Sequence, residues 1–223
     1  MQLLGEVPFL HIGADEVFNL ATCRNCQFFQ EEAGTNALYA KFIQKVIKHV
    51  SKKYPATQMM AWDDMFRSWS YQDMQKFRVK GKQLIQPCVW SYSGNSEGFN
   101  QTIKNQSLSQ LCLEFRAVWA ASCFKGACTP GQTLVDFQER VYNQKHWLDK
   151  VTLNPSCKQA IQGIILTGWS RFTHEMVLCE LLCTSLPSLV LCLTVLEKQS
   201  LSISALYSEM VASLNLKGRD LFA

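Results

Sequence analysis

An α/β fold with parallel strands is predicted by three features of the chain. Short apolar runs alternate with longer stretches of helical periodicity, no internal repeat interrupts that alternation, and polar or aromatic residues recur just past each apolar run. The candidate strands cover residues 9–13, 58–62, 84–90, 117–122 and 162–168, and the candidate helices cover 36–54, 71–79, 105–112, 134–150 and 174–182. The intervals between strands suit βαβ units of about 30 residues or more. The strand ends carry Asp15-Glu16, Trp62-Asp63-Asp64, Trp90-Ser91-Tyr92, Phe124-Lys125 and Trp169-Ser170-Arg171. A ring of strand ends is where a TIM (β/α)8 barrel builds its site, whereas a doubly wound sheet uses one switch point, often with a glycine-rich first turn that this chain lacks. The reading is therefore a partial TIM barrel with five of the eight strands in place.

Taken in order, the run at 9–13 leads directly into two carboxylates, and Gly13 permits the bend that would bring both to one substrate. In the segment 36–54, Lys41, Lys45, Lys48 and Lys52 lie opposite Phe42, Ile43, Val46, Ile47 and Val50, the pattern of a solvated helix face. The apolar run from 176 to 196 holds a single charge, Glu180, and approaches the length of a membrane span. Pro187 and Thr184-Ser185 cut it, which leaves two buried helices or a helix and a turn. No linker composition appears, so residues 1–223 read as one domain.

Composition excludes other classes. With 223 residues, 48% hydrophobic and 18% charged, the chain is globular rather than disordered or fibrous. The net charge of +4 is dispersed, which argues against a nucleic-acid partner, and a membrane partner is not expected either. Ten cysteines sit in a chain too long to need disulfide staples, and reduced thiols are expected. The first residues lack the basic region and long apolar run of a signal peptide, so secretion is not expected.

Asp15 and Glu16 admit two readings, a catalytic pair or a surface pair capping the next helix. Trp62, Trp90 and Trp169 stand at equivalent strand ends, where aromatic walls facing carboxylates would hold the apolar faces of a sugar or an acyl group; singly, each could be core. His11 is read as a supporting partner of the carboxylates, and His174 as a rim residue. Cys23-x-x-Cys26 could be half of a zinc site, but no second pair at ligand spacing follows. Asp63-Asp64 with Asp15 lacks the His-x-His of a barrel metallohydrolase, and Lys125 lacks other lyase signatures. Neither metal nor cofactor is expected.

The segments HIGADEV (11–17), AWDDM (61–65), WAASCFKGA (119–127), GIILTGWSRF (163–172) and VLCELL (177–182) followed by PSL (187–189) resemble, in the same order, glycoside hydrolase family 20, the β-N-acetylhexosaminidases, and most closely its hexosaminidase D branch. The resemblance runs from Pro8 to about Leu193. It implies the carboxyl-terminal part of the catalytic barrel, about strands four to eight with strands one to three missing. It implies a retaining, substrate-assisted exo-hydrolysis in which the substrate's 2-acetamido oxygen attacks the anomeric carbon.

Under that resemblance Glu16 is the acid and then the base, favoured in its protonated form by Asp15 and by apolar walls, and Asp15 orients the acetamido N–H. Trp62, Trp90 and Trp169, with Asp64, Tyr92, Lys125 and Arg171, form the substrate-binding set. Phe124 stands where the wider family has a tyrosine that hydrogen-bonds the acetamido carbonyl, and Tyr92 is the nearest substitute. Trp169-Ser170-Arg171 replaces a Trp-x-Glu, and the first-strand Arg that grips sugar hydroxyls goes with the missing strands. The implied substrate is a glycan or glycoconjugate ending in N-acetylgalactosamine or N-acetylglucosamine, in the cytoplasm and nucleus. The competing reading is a non-catalytic, sugar-binding remnant. Open strand edges at 9–13 and 162–168 would favour poor solubility or homo-oligomers, and loss of part of the pocket wall and of the sugar-gripping Arg would leave the isolated chain nearly inactive.

Overall fold

The computed structural model describes residues 7–76, 85–198, 205, 208 and 212. Five strands form one sheet: β1 (Phe9–His11), β2 (Gln58–Trp62), β3 (Gln86–Trp90), β4 (Val118–Lys125) and β5 (Ile161–Gly168), in the order β1-β2-β3-β4-β5. The pairs β1–β2 and β2–β3 are parallel, with Leu10 opposite Met59 and Ala61 opposite Pro87. The helices are α1 (Arg24–Ala33), α2 (Thr35–Lys53), α3 (Tyr71–Lys76), α4 (Ser96–Thr102), α5 (Asn105–Glu114), α6 (Phe137–Thr152), α7 (Pro155–Ala160) and α8 (Leu182–Lys198). The α/β class and the strand succession read from the sequence are therefore what forms. Chain contacts divide it into two compact units, Met1–Trp90 with Gln106–Trp119 and Gln159–Gln162, and Ser91–Asn105 with Ala120–Lys158 and Gly163–Ala223.

In the first unit β2 is buried on both faces from Met59 to Trp62, as a parallel strand with neighbours on each side requires. Along α2 the apolar stripe buries Leu38, Tyr39, Ile43 and Ile47, while Lys41, Lys45, Lys48 and Lys52 are exposed. Phe42 departs from the expected face and is 58% exposed. Lys41 instead covers an aromatic ring, its Nζ 3.8 Å from the Phe29 centroid. Trp69 packs edge-on against Tyr39 and Phe66, with centroids 6.0 and 6.1 Å away. Helix 71–79 forms at Tyr71–Lys76, and its remaining positions lie outside the described residues, as does position 84 of the third predicted strand.

The second unit is built on the carboxyl-terminal part of β4, where Ala120, Ala121 and Cys123 are fully buried, with Trp147 of α6 and Leu191 and Cys192 of α8 buried in the same unit. Asp136 caps α6 by accepting from the Glu139 amide at 3.0 Å, and Asn95 caps α4 by accepting from the Glu97 and Gly98 amides. Two expectations need correction here. Residues 174–182 do not form a helix, because the backbone is drawn to distant partners: Cys179 N donates to Ser170 O, Glu180 N to Gln132 O, and Glu180 takes φ 44°. The helix begins at Leu182 and runs through Pro187, with the Thr184 and Ser185 hydroxyls donating to the Leu181 carbonyl, each at 2.8 Å. Among the described residues no helix is long and apolar enough to cross a membrane. Second, the thiols are not all reduced: Cys112 and Cys157 are disulfide-bonded, while Cys23, Cys26, Cys88, Cys123, Cys128, Cys179, Cys183 and Cys192 are free.

Candidate active site

The carboxylates follow β1 on a sharply turned segment. Gly13 and Ala14 take φ of 70° and 72°, and Glu16 takes 48°, so the chain bends at the glycine as the sequence requires and continues left-handed through two residues that carry a Cβ. Such conformations cost about 1–3 kcal/mol each and persist only where surrounding bonds impose them. Those bonds are on hand. Ile12 N donates to Met60 O and Trp62 N to Gly13 O, tying the bend to β2. The Tyr39 hydroxyl of α2 donates to Ala14 O at 2.7 Å, and Glu16 N donates to Asp64 Oδ2 at 2.8 Å. His11 supports the bend directly, its Nδ1 accepting from Gly13 N at 3.0 Å and its ring 4.4 Å from that of Trp62. With Nδ1 accepting, the neutral imidazole carries its proton on Nε2, and burial keeps it neutral by lowering its pKa from 6.5, against the opposing pull of Asp15.

The backbone around the carboxylates is pinned while the carboxylates themselves are open. Asp15 is half-buried and Glu16 exposed, and neither side chain has a hydrogen-bond partner among the described residues. Asp64 plays a double part, since its second oxygen accepts from the Trp90 indole Nε1 at 3.2 Å, linking the Glu16 turn to the end of β3. Its neighbour Asp63 is fully buried and bidentate with Arg67, at 2.6 and 2.7 Å, and Arg67 also donates to Trp90 O. Burial raises the Asp63 pKa, and the Arg67 hydrogen bonds and charge oppose that rise. Trp62 is 9% exposed, more a support for His11 than an open wall. Sequence reasoning missed two contributors here, Tyr39 and Arg67. Arg67 stands four residues after Asp63 but in a turn rather than a helix, so helical spacing did not point to it, and Tyr39 shows nothing beyond its place on an apolar helix face.

The other candidates belong to the second unit. The ring of Tyr92 meets that of Trp169 at 6.2 Å and 60°, and Trp169 remains 37% exposed. Lys125 is buried, and its ammonium donates to the Trp169 carbonyl, so it acts on this tryptophan from the backbone side. Gly126, at φ 78°, packs so tightly that a Cβ would lie 2.1 Å from the same carbonyl, and its amide donates to buried Glu180. Arg171 and His174 are exposed. Buried Arg140 donates to Tyr92 O at 2.7 Å and to Cys123 Sγ at 2.6 Å, and its Nη2 lies 2.9 Å from Glu139 Oε1. Among the described residues no group of three or more His, Cys, Asp or Glu side chains is placed to hold a metal.

The family model described as the catalytic domain of glycosyl hydrolase family 20 matches residues 1–180, most of the chain. The chain belongs to this family. It is 33% identical over 198 residues to hexosaminidase D of Bos taurus, a match covering 88% of this chain and 56% of the relative. It is 35% identical over 191 residues to hexosaminidase D of Homo sapiens, covering 84% of this chain and 38% of the relative. The chain therefore spans about half or less of the length of the relatives it matches. The match embraces the Asp15-Glu16 turn, Asp64, Trp90, Lys125 and Trp169, all within residues 1–180.

Proposed function

We propose that the chain carries the acid/base machinery of an exo-acting β-N-acetylhexosaminidase and that its five strands correspond to strands four to eight of a (β/α)8 barrel. The supporting observation is the pair of carboxylates after β1 that have no hydrogen-bond partner among the described residues, on a left-handed bend whose backbone is held by Asp64 and Tyr39. The substrate's acetamido oxygen attacks the anomeric carbon as Glu16 protonates the departing glycosidic oxygen. Asp15 accepts the acetamido N–H and stabilises the positive charge that develops in the oxazolinium-like ring. Glu16, now a carboxylate, takes a proton from water, which opens that ring with retention of configuration.

By the family resemblance, Trp90 and Asp64 contact the sugar, with Trp62 behind them against His11; Trp169, Tyr92 and Arg171 are a second set of candidate sugar contacts on their own unit, where Lys125 fixes the Trp169 backbone. The substrate is a glycan or glycoconjugate ending in N-acetylgalactosamine or N-acetylglucosamine. Association of like chains through β1 and β5, the ends of the strand order, and a cytoplasmic and nuclear location complete the proposal.

The test compares leaving groups in the chain completed by three amino-terminal βα units, as the (β/α)8 reading requires. Glu16→Gln is expected to lower kcat/KM by about 10²–10⁴-fold on an aryl glycoside with a poor leaving group and far less on one with a good leaving group. Equal losses on both would refute the acid role. Sugar binding without turnover in the unsubstituted protein would favour the non-catalytic reading.

A further inference from the structure

Independently of the glycosidase reading, a second reactive pair lies on the chain that continues from the carboxylate turn. Cys23 is the N-cap of α1, with φ −90° and ψ 151°, and Cys26 lies in its first turn, so the two free thiols share one face of a helix start. Cys23 is exposed and Cys26 half-buried. Among the described residues no hydroxyl or carboxylate caps this helix, and its first turn holds no acidic residue. The Cys23 side chain makes no capping hydrogen bond of its own, so its thiol stays exposed at the helix start, one turn from Cys26.

We propose that Cys23 and Cys26 are a redox-active dithiol that exchanges with low-molecular-weight disulfides, Cys23 as the attacking thiol and Cys26 as the resolving one. The Cys23 thiolate attacks one sulfur of the small disulfide, the S–S bond breaks, and one thiolate leaves, giving a mixed disulfide on Cys23. Cys26 then loses its proton to solvent and attacks the Cys23 sulfur, expelling the second thiolate and closing the Cys23–Cys26 disulfide. Two protein thiols lose two electrons and two protons, and the small disulfide becomes two thiols.

The division of labour has a physical basis. The Cys26 thiol, followed by the Cys26 amide, lowers the Cys23 pKa, and the same thiol pair raises that of Cys26. The remaining thiols differ in kind. Burial pushes Cys123 and Cys192 up to about 12 and Cys128 to about 11. Cys183 is an exposed thiol in another helix. It serves as the reference for a thiol lacking the Cys-x-x-Cys arrangement.

The 223-residue chain would be equilibrated with defined mixtures of reduced and oxidised glutathione, quenched with acid, alkylated and mapped by peptide mass spectrometry. Cys23 and Cys26 should lose alkylation together as an internal disulfide, whereas Cys183 should carry only a glutathione adduct. Cys26→Ser should trap the adduct on Cys23, and Cys23→Ser should slow reaction at Cys26 by about tenfold or more. The proposal is overturned if the two cysteines carry separate stable adducts like Cys183, or if Cys26 reacts equally fast in Cys23→Ser.

Discussion

The turn after β1 and the end of β4 use charged residues in opposite ways. After β1 the backbone is strained and bonded from several sides, while the carboxylates of Asp15 and Glu16 are left open. At the end of β4 the charged heads are themselves engaged, Lys125 with the Trp169 carbonyl, Glu180 with the Gly126 amide and Arg140 with the Tyr92 carbonyl. A group that must exchange protons with a substrate needs free lone pairs on a fixed main chain. A group that shapes a wall can have its charge satisfied permanently, because its role ends once the aromatic side chain is in place.

That contrast separates losses of stability from losses of turnover. Arg140→Met, which keeps much of the side-chain volume, leaves the Tyr92 carbonyl without its donor and should destabilise the fold by about 2–3 kcal/mol, read as a lower urea midpoint. A midpoint shift no larger than that of an exposed substitution such as Lys45→Met would dissolve the contrast. Asp64→Ala removes the acceptor shared by Glu16 N and Trp90 Nε1 and should lower kcat/KM about tenfold with a change in tryptophan fluorescence and little loss of stability. Loss of stability with unchanged kinetics would make Asp64 scaffolding like Arg140.

The smallest effect concerns His11. Its pKa is depressed in the folded chain, so as pH falls through 6.5 the unfolded state binds the proton first and stability declines with pH. Urea midpoints at about pH 7.5 and about pH 5.5 should differ less in His11→Gln than in the unsubstituted chain. An unchanged difference would remove His11 from the support of the turn.

What could be read from the sequence followed from locality. Residues 58–62 were legible to the residue because a strand buried on both faces is a continuous apolar run. The bend after 13 was legible because glycine marks it, yet the left-handed conformations of Ala14 and Glu16 were not, since nothing in those side chains favours them and distant bonds impose them. Position 180 shows the same limit. Its neighbours have helical periodicity, but its amide and carboxylate are drawn to Gln132 and Gly126, which no local pattern reveals. The fourth strand was read short because Phe124 and Lys125 resemble end residues, although both are buried within β4. The carboxylate pair was legible, whereas the distribution of Trp62 and Trp90 to one compact unit and Trp169 to the other was not.

The central claim is that the open carboxylates after β1 serve a substrate whose own acetamido group is the nucleophile. Calorimetric titration with a thiazoline that copies the participating ring tests it most directly, in the extended protein of the leaving-group experiment and in its Asp15→Asn variant. The unsubstituted protein should bind the thiazoline about 10²-fold or more tightly than free N-acetylhexosamine, and Asp15→Asn should erase most of that advantage. A thiazoline bound no more tightly than the free sugar, or one bound equally well by Asp15→Asn, would contradict the account.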